Sequence, residues 1–307
     1  MREKELFCNY FDEWISQYKE GTVRDITFKK WRMASARLKE LAPDLLLEDL
    51  DRREYQKIIN EYAVTHEKVT VEGFHHMLKA AILDAVDEGL LLRNPTRKIS
   101  VKGKKPKPKR KKYLSAEEAE KLIDVLELKP DEISYDWMIL LGLKTGMRLE
   151  EILGLTVEDF DFPNMTLTID KSFDYKDTQD FAPTKNNSSI RTIKIDWKTG
   201  MQFKTLLEGK RPEDRVFDFK RKFYSGTLND HLIRRCKAAG IPEVTMHCLR
   251  HTHASILMYK GVSTQSISKR LGHASTEITQ KVYLHIIKEM EVKDEKKVIA
   301  ALMELDY

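Results

Sequence analysis

Six side chains from residue 148 onward together suffice for phosphodiester chemistry. They are Arg148 in TGMRLEEI, Lys185 in APTKNNSSIRTI, His247 and Arg250 in MHCLRHTHAS, His273 in RLGHAS and Tyr283 in QKVYLHI. Two guanidinium forks match phosphate oxygens bidentately. Two imidazoles add donors to the same oxygens, and a lysine ammonium can protonate a leaving alkoxide. A tyrosine hydroxyl can attack phosphorus and form a covalent ester. With arginine, lysine and histidine supplying the charge, no metal and no cofactor is required. Taken singly, each residue has a plainer reading. Arg148 beside two glutamates reads as an ion-pair residue, Lys185 as a solvated loop lysine and Tyr283 as a half-buried helix residue. The set gains weight from its order and from the crowding of histidine, since five of the nine lie between 247 and 285.

Competing chemistries fit less well. His247 and His251 have the i, i+4 spacing of a zinc pair, but Cys248 stands where a zincin would place its glutamate base, and no third ligand is clearly placed. Neither a G-x-S-x-G elbow nor a P-loop pattern occurs. Three scattered cysteines, Cys8, Cys236 and Cys248, give neither a disulfide scaffold nor zinc spacing and suit a reducing cytosol. No stretch approaches the ~20 apolar residues that span a bilayer, and the first residues lack the apolar run of a signal peptide.

The 307 residues carry a net charge of +5 and are 41% hydrophobic, which allows one large domain or two modest ones and excludes wholesale disorder. The charge is concentrated. Residues 97–112, RKISVKGKKPKPKRKK, hold ten basic residues and no acidic one, leaving −5 for the remainder. Pro106 and Pro108 oppose a helix there, and so few apolar residues cannot make a core. The expected organisation is therefore a helical domain over 1–98, a basic linker over 99–112 and a second domain over 113–307. Within the strip, Lys102, Lys104, Lys105, Lys107, Lys109, Arg110, Lys111 and Lys112 are the expected contacts to a nucleic-acid backbone.

The elements that must position the six residues follow from periodicity. Before the strip, helices are predicted near 7–18, 22–40, 51–64 and 70–88. Their aromatic spacing suits a bundle core better than a platform for stacking bases. After it, Ser115 and Glu118 form a capping box that opens a helix to about residue 127. An apolar helix over 132–144 breaks at Gly146, and a short helix restarts at 149–153. Alternation at 165–169 and 189–195 predicts two strands separated by a polar loop. Helices are predicted at 198–207, 226–239, 248–259 and 263–271, then at 275–286 and 288–304. The fold class is α+β, mostly helical, with a small antiparallel sheet.

Arg148, Lys185, the HCLRHTHAS segment, Leu271-Gly272-His273 and Tyr283 ten residues on together resemble the tyrosine recombinase (phage integrase) family. The likeness is greatest to integrases of temperate phages and integrative conjugative elements of Gram-positive bacteria, and it covers nearly the whole chain. It implies a four-helix, SAM-like core-binding domain and a catalytic domain that close on duplex DNA, with the basic strip as hinge. It implies that Tyr283 forms a 3′-phosphotyrosyl link, that Arg148 and Arg250 clamp the scissile phosphate, and that Lys185 is general acid for the 5′ oxygen. His247 and His273 would bond the phosphate, and Glu151 and His251 would support the site. Lys176 is the other candidate for the lysine; Lys185 is preferred because it directly precedes the strand SIRTIKI. The chain opens at the core-binding helices, so it reads as a two-domain member or as one trimmed of an arm-binding domain before Met1. The implied partners are duplex attachment sites, an excisionase and a host DNA-bending protein. The implied assembly is a monomer when free and a tetramer on DNA, exchanging the tail 288–307 between protomers. The implied setting is the bacterial cytoplasm, at the nucleoid. A dimer-resolving recombinase, a type IB topoisomerase and a DNA-binding regulator with a decayed site are the alternative readings.

Overall fold

A computed structural model describes residues 4–106, 111–184, 187–220, 222–277 and 279–280. The chain divides into two compact units, 1–109 and 110–307.

The first unit is a helical bundle of α1 (Phe7–Lys19), α2 (Asp25–Leu41), α3 (Arg52–Thr65) and α4 (Lys68–Asp87). Phe7, Phe11 and Ile15 recur at helical spacing on α1 and are fully buried, together with Leu38, Tyr55, Ile59, Leu78 and Ile82 from the other helices. Trp14 and Trp31 lie 5.5 Å apart, centroid to centroid, within this core. The Trp14 indole N–H donates to Asp84 at 2.7 Å, which ties α1 to α4. Asp51 caps α3 by accepting from the backbone N–H groups of Arg53 and Glu54. The aromatic residues of this unit thus serve packing, as their spacing suggests.

The basic strip is partly fastened to this unit. Ile99 and Val101 pack on the bundle core. Gln56 on α3 exchanges two 2.9 Å hydrogen bonds with the backbone of Ser100, and the Lys104 N–H donates to the His66 carbonyl at 2.8 Å. Residues 99–104 therefore lie along α3, held through their own backbone by the Gln56 side chain and the His66 carbonyl, which composition does not reveal. Lys107, Lys109 and Arg110 lie outside the described residues. Lys111 forms an ion pair with Glu118 at 2.6 Å, beside the Ser115 capping box of α5 (Ala116–Asp124).

The second unit is built around α6 (Tyr135–Thr145). Residues 136–143 of this helix are buried on every side, so it is the central element of the domain. It packs against α10 (Met246–Tyr259), with α7 (Leu149–Leu153), α8 (Trp197–Leu206), α9 (Ser225–Ala238) and α11 (Thr264–Leu271) around it. Asp136, 1% exposed, takes Arg235 of α9 bidentately and accepts a further bond from His231. An antiparallel sheet in the order β1 (Phe160–Asp161), β2 (Thr166–Ile169), β5 (Arg191–Lys194) completes the unit, with Leu167 opposite Ile193 and Ile169 opposite Arg191.

The segment between β2 and β5 is not the polar loop that its Asp and Asn content suggests. It folds as a second antiparallel pair, β3 (Lys171–Asp174) and β4 (Asp180–Pro183), with Phe173 opposite Phe181. Each strand has four residues, too few for alternation to emerge from the polar background. What holds the pair is Phe173, buried beneath the Arg215 guanidinium at 3.9 Å. Among the described residues no helix is long and apolar enough to cross a membrane.

Gly146 ends α6 in the left-handed conformation, with φ of 69°. A Cβ there would stand 2.7 Å from Leu271 and 2.8 Å from His253. Gly146→Ala is therefore expected to destabilise the protein by about 2–4 kcal/mol, measured as a lower denaturant midpoint at unchanged m-value.

Candidate active site

The turn that Gly146 creates carries Arg148, the N-cap residue of α7. Its backbone N–H donates to the Glu151 carboxylate at 2.9 Å, and its Nη1 donates to the same carboxylate at 2.7 Å. Its Nη2 reaches the Gly272 carbonyl at 3.4 Å. The guanidinium is thus steered by one partner on its own turn and one on the turn before His273, while the side chain remains 27% exposed.

His247 and Arg250 share the first turn and a half of α10, so their spacing places them on one face. Arg250 is 4% exposed, and two of its nitrogens donate to backbone carbonyls, Nη1 to Gly146 and Nη2 to Leu271, each at 2.8 Å. These carbonyls lie beside Arg148 and His273, so Arg250 bridges the turns that carry its two expected partners. His273 follows α11, which ends at Gly272 with φ of 67°. Its Nδ1 engages the Thr279 hydroxyl at 2.7 Å. The His247 and His251 rings meet edge to face at 4.8 Å.

The electrostatics of the imidazoles follows from this proximity. Burial lowers the His247 imidazole below its usual range, and the charges of Arg250 and Arg148 lower it further. His273 is held at about 4, by burial first and then by Arg250, Arg148, His251 and Arg191. His251 is likewise at about 4, through burial, His247 and Arg250. The imidazoles are therefore neutral at pH 7. The site presents fixed guanidinium charge plus uncharged hydrogen-bonding rings, an arrangement suited to an anion with several oxygens.

The structure thus brings together Arg148, Glu151, His247, Arg250, His251 and His273. Lys185 and Tyr283, and the tail 288–307, lie outside the described residues. Lys176, the alternative lysine, stands 3.9 Å from Glu150. Among the described residues no group of three or more His, Cys, Asp or Glu side chains is placed to hold a metal ion.

Three residues escape the sequence reading. Arg191 is buried and pairs with Glu151 at 2.9 Å. Strand parity carried the signal, because Arg191, Ile193 and Ile195 share the inward face. Arg270 donates from Nε to His253 Nε2 at 2.9 Å, and His253 Nδ1 bonds the Leu143 carbonyl at 2.8 Å. His253 is held at about 3 by burial and by Arg270. No local pattern separates His253 from the other histidines of the same segment.

Comparison with known proteins decides the relationship. The phage integrase family matches residues 112–290. The chain belongs to that family. The general chemistry of a tyrosine recombinase, cleavage and rejoining through a phosphotyrosyl intermediate, comes with this membership. Among relatives, an integrase of Staphylococcus phage L54a is 28% identical over 334 residues, covering 95% of this chain and 92% of its own length. The ICEBs1 integrase of Bacillus subtilis is also 28% identical, over 68% of this chain, which spans 60% of that protein. In fold, the chain is similar to the Tn1549 transposon integrase in complex with a circular intermediate DNA, with a TM-score of 0.74, 16% identity and coverage of 90% and 94% of the two chains. It is also similar to a lambda integrase tetramer bound to a Holliday junction, with a TM-score of 0.66, 19% identity and coverage of 91% and 78%. The α+β class, a helical N-terminal region followed by a domain with a small antiparallel sheet, is shared with these folds.

The histidines make stability depend on pH. Their folded values lie below the ordinary value of 6.5. Between pH 6.5 and 4 the unfolded chain therefore binds more protons, and stability falls as pH is lowered through that window. Thermal melts of the wild type should show this decline, and His253→Gln should show a shallower one.

Proposed function

We propose that this protein is a site-specific DNA integrase that cuts and rejoins two duplexes at paired attachment sites. The observation that carries the reading is the convergence of Arg148 and Arg250 on the turns at Gly146 and Gly272, the second of which presents His273, with His247 on the same helical face as Arg250. Arg148 and Arg250 clamp the nonbridging oxygens of the scissile phosphate. The Tyr283 oxygen attacks phosphorus, a 3′-phosphotyrosyl bond forms and the bond to the 5′ oxygen breaks. Lys185 protonates that leaving oxygen, while His247 and His273 hydrogen-bond the phosphate and relay protons. The phosphate ester conserves the bond energy. A 5′-hydroxyl from the second duplex then reverses the step, and two rounds pass through a four-way junction.

The helical unit and the basic strip supply the grip on DNA. In that unit Arg52, Arg53, Lys57 and Arg93, together with Glu48 and Asp51, line one groove, and Arg52 donates to the Lys98 carbonyl at 2.9 Å, which places the start of the strip at its edge. Assembly as a tetramer on DNA from a free monomer, exchange of the tail 288–307, and help from an excisionase and a DNA-bending protein belong to the same reading. So does work in the bacterial cytoplasm, at the nucleoid. The near full-length match to a phage integrase and the long segment between β2 and β5 support integration over dimer resolution.

A library of nicked suicide duplexes with randomised cores tests the chemistry. The wild type should become covalently joined to a selected core, and Tyr283→Phe should not. An adduct with the Phe variant would reassign the nucleophile. Relaxation of supercoiled DNA without strand exchange between two selected sites would point to a topoisomerase instead. In a salt titration with the selected duplex, replacing Lys102, Lys104 and Lys105 by Ala should reduce the slope of log K against log salt. The expected reduction is about 0.9 for each phosphate that these lysines no longer neutralise.

A further inference from the structure

Arg191 lies at the meeting point of the segments that carry the proposed chemistry. Its Nη1 and Nη2 donate to the two Glu151 oxygens at 3.2 and 2.9 Å. Its Nη1 also donates to the Ser189 carbonyl at 2.7 Å, and its Nε donates to the Arg270 carbonyl at 2.7 Å. Both members of the ion pair are almost fully buried, with side-chain exposures of 5% and 4%. Gly272 completes the joint. A Cβ there would come within 3.0 Å of Arg191 Nη1 and of Ser189 Cα. The segment following residue 185, the turn before His273 and the carboxylate behind Arg148 thus meet on one guanidinium.

We propose that Arg191 is a positioning residue for DNA cleavage: by sharing the Glu151 carboxylate with Arg148, it keeps Arg148 turned towards the scissile phosphate. This rests on the recombinase reading above. A carboxylate with a single buried counter-ion draws that ion in and holds it. Glu151 has two, and Arg191 donates to each of its oxygens. Arg148 therefore satisfies one oxygen with one Nη and is not consumed by the pair. The carboxyl stays below its ordinary range despite burial because Arg191 and then Arg148 favour its ionised form. The other charged groups of the surrounding elements have their own partners. On β3, Lys171 is held by Asp159 and Asp170. On α6, Lys144 meets Asp196. On α7, Glu150 faces Lys176. On α11, Arg270 bonds His253, and the following His273 is neutral.

The test compares the wild type with Arg191→Met, Arg191→Lys and the double variant Glu151→Gln/Arg191→Met. The probe is a nicked duplex selected by wild-type capture, and the readouts are the single-turnover rate of adduct formation, duplex affinity and thermal melting. Arg191→Met should lose about 100-fold in rate with affinity for the duplex retained. Removing the carboxylate as well should return about tenfold of that loss, because Arg148 is released. Arg191→Lys, a single point charge, should fall between. The pH profile separates positioning from simple support. Without Arg191 the buried Glu151 carboxyl loses one of the two charges that favour its ionised form and is protonated more readily as pH falls, freeing Arg148. The ratio of Arg191→Met to wild-type rate should therefore rise towards acid, and that trend should vanish in the double variant. A ratio that is flat or falls towards acid, or a double variant slower than Arg191→Met while still folded by melting, overturns the proposal. If Arg191→Met fails to fold, the comparison of Arg191→Lys with the wild type across pH decides by the same criterion. Absence of a wild-type adduct on every library core would instead overturn the recombinase reading and this proposal with it.

Discussion

Like charges at close quarters set the terms for this catalytic domain. Arg148, Arg191, Arg250 and Arg270 are held near one another, partly or wholly out of water, with the Glu151 carboxylate buried among them. Such a cluster repels itself, and desolvation adds to the cost. It persists because backbone carbonyls absorb most of the donors. Gly146, Leu271 and Gly272 take Arg148 and Arg250, Ser189 and Arg270 take Arg191, and Lys194 and Lys144 take Arg270. Several of these carbonyls close helix ends, where they lack intrahelical partners. Termination of α6 and α11 and stabilisation of the arginines are therefore one arrangement. Burial, and after it the same charge excess, keeps the neighbouring imidazoles unprotonated.

The two glycine-terminated helices explain how distant residues in sequence become neighbours. α6 is buried on all sides, so its end is a fixed point. The left-handed Gly146 redirects the chain into α7 and presents Arg148. α10 packs along α6 and delivers His247 and Arg250 from its first turns. α11 ends at a second left-handed glycine and presents His273. Strand β5 brings Arg191 beneath this group through its register with β2, which pairs it opposite Ile169.

Much of this is legible in the sequence because it rests on local rules. Helical spacing gives α1 to α4 and α6, the Ser115–Glu118 pair gives the start of α5, and Gly146 and Gly272 mark the turns. Arg148, His247, Arg250 and His273, which converge, are recognisable by order and spacing rather than by any single motif. What stays hidden depends on tertiary context. The β3–β4 pair is too short and polar for periodicity to register, and the fastening of residues 99–104 along α3 uses mainly backbone groups. Arg191, Arg270 and His253 derive their importance from partners 17 to 126 residues away, such as Glu151, Leu143 and Lys144.

The two carbonyl bonds of Arg250 also bear on the thermodynamics of substrate capture. A free arginine side chain has about 2 kcal/mol of rotamer entropy to lose when it is immobilised. Here Nη1 and Nη2 are already fixed by Gly146 and Leu271, so the guanidinium plane is set when the chain folds. That loss is met once, during folding, and does not recur with each DNA strand that arrives. In the proposed reaction, a phosphate docking against Arg250 would meet a group whose direction is already chosen, so its binding energy would go into the encounter rather than into ordering the protein.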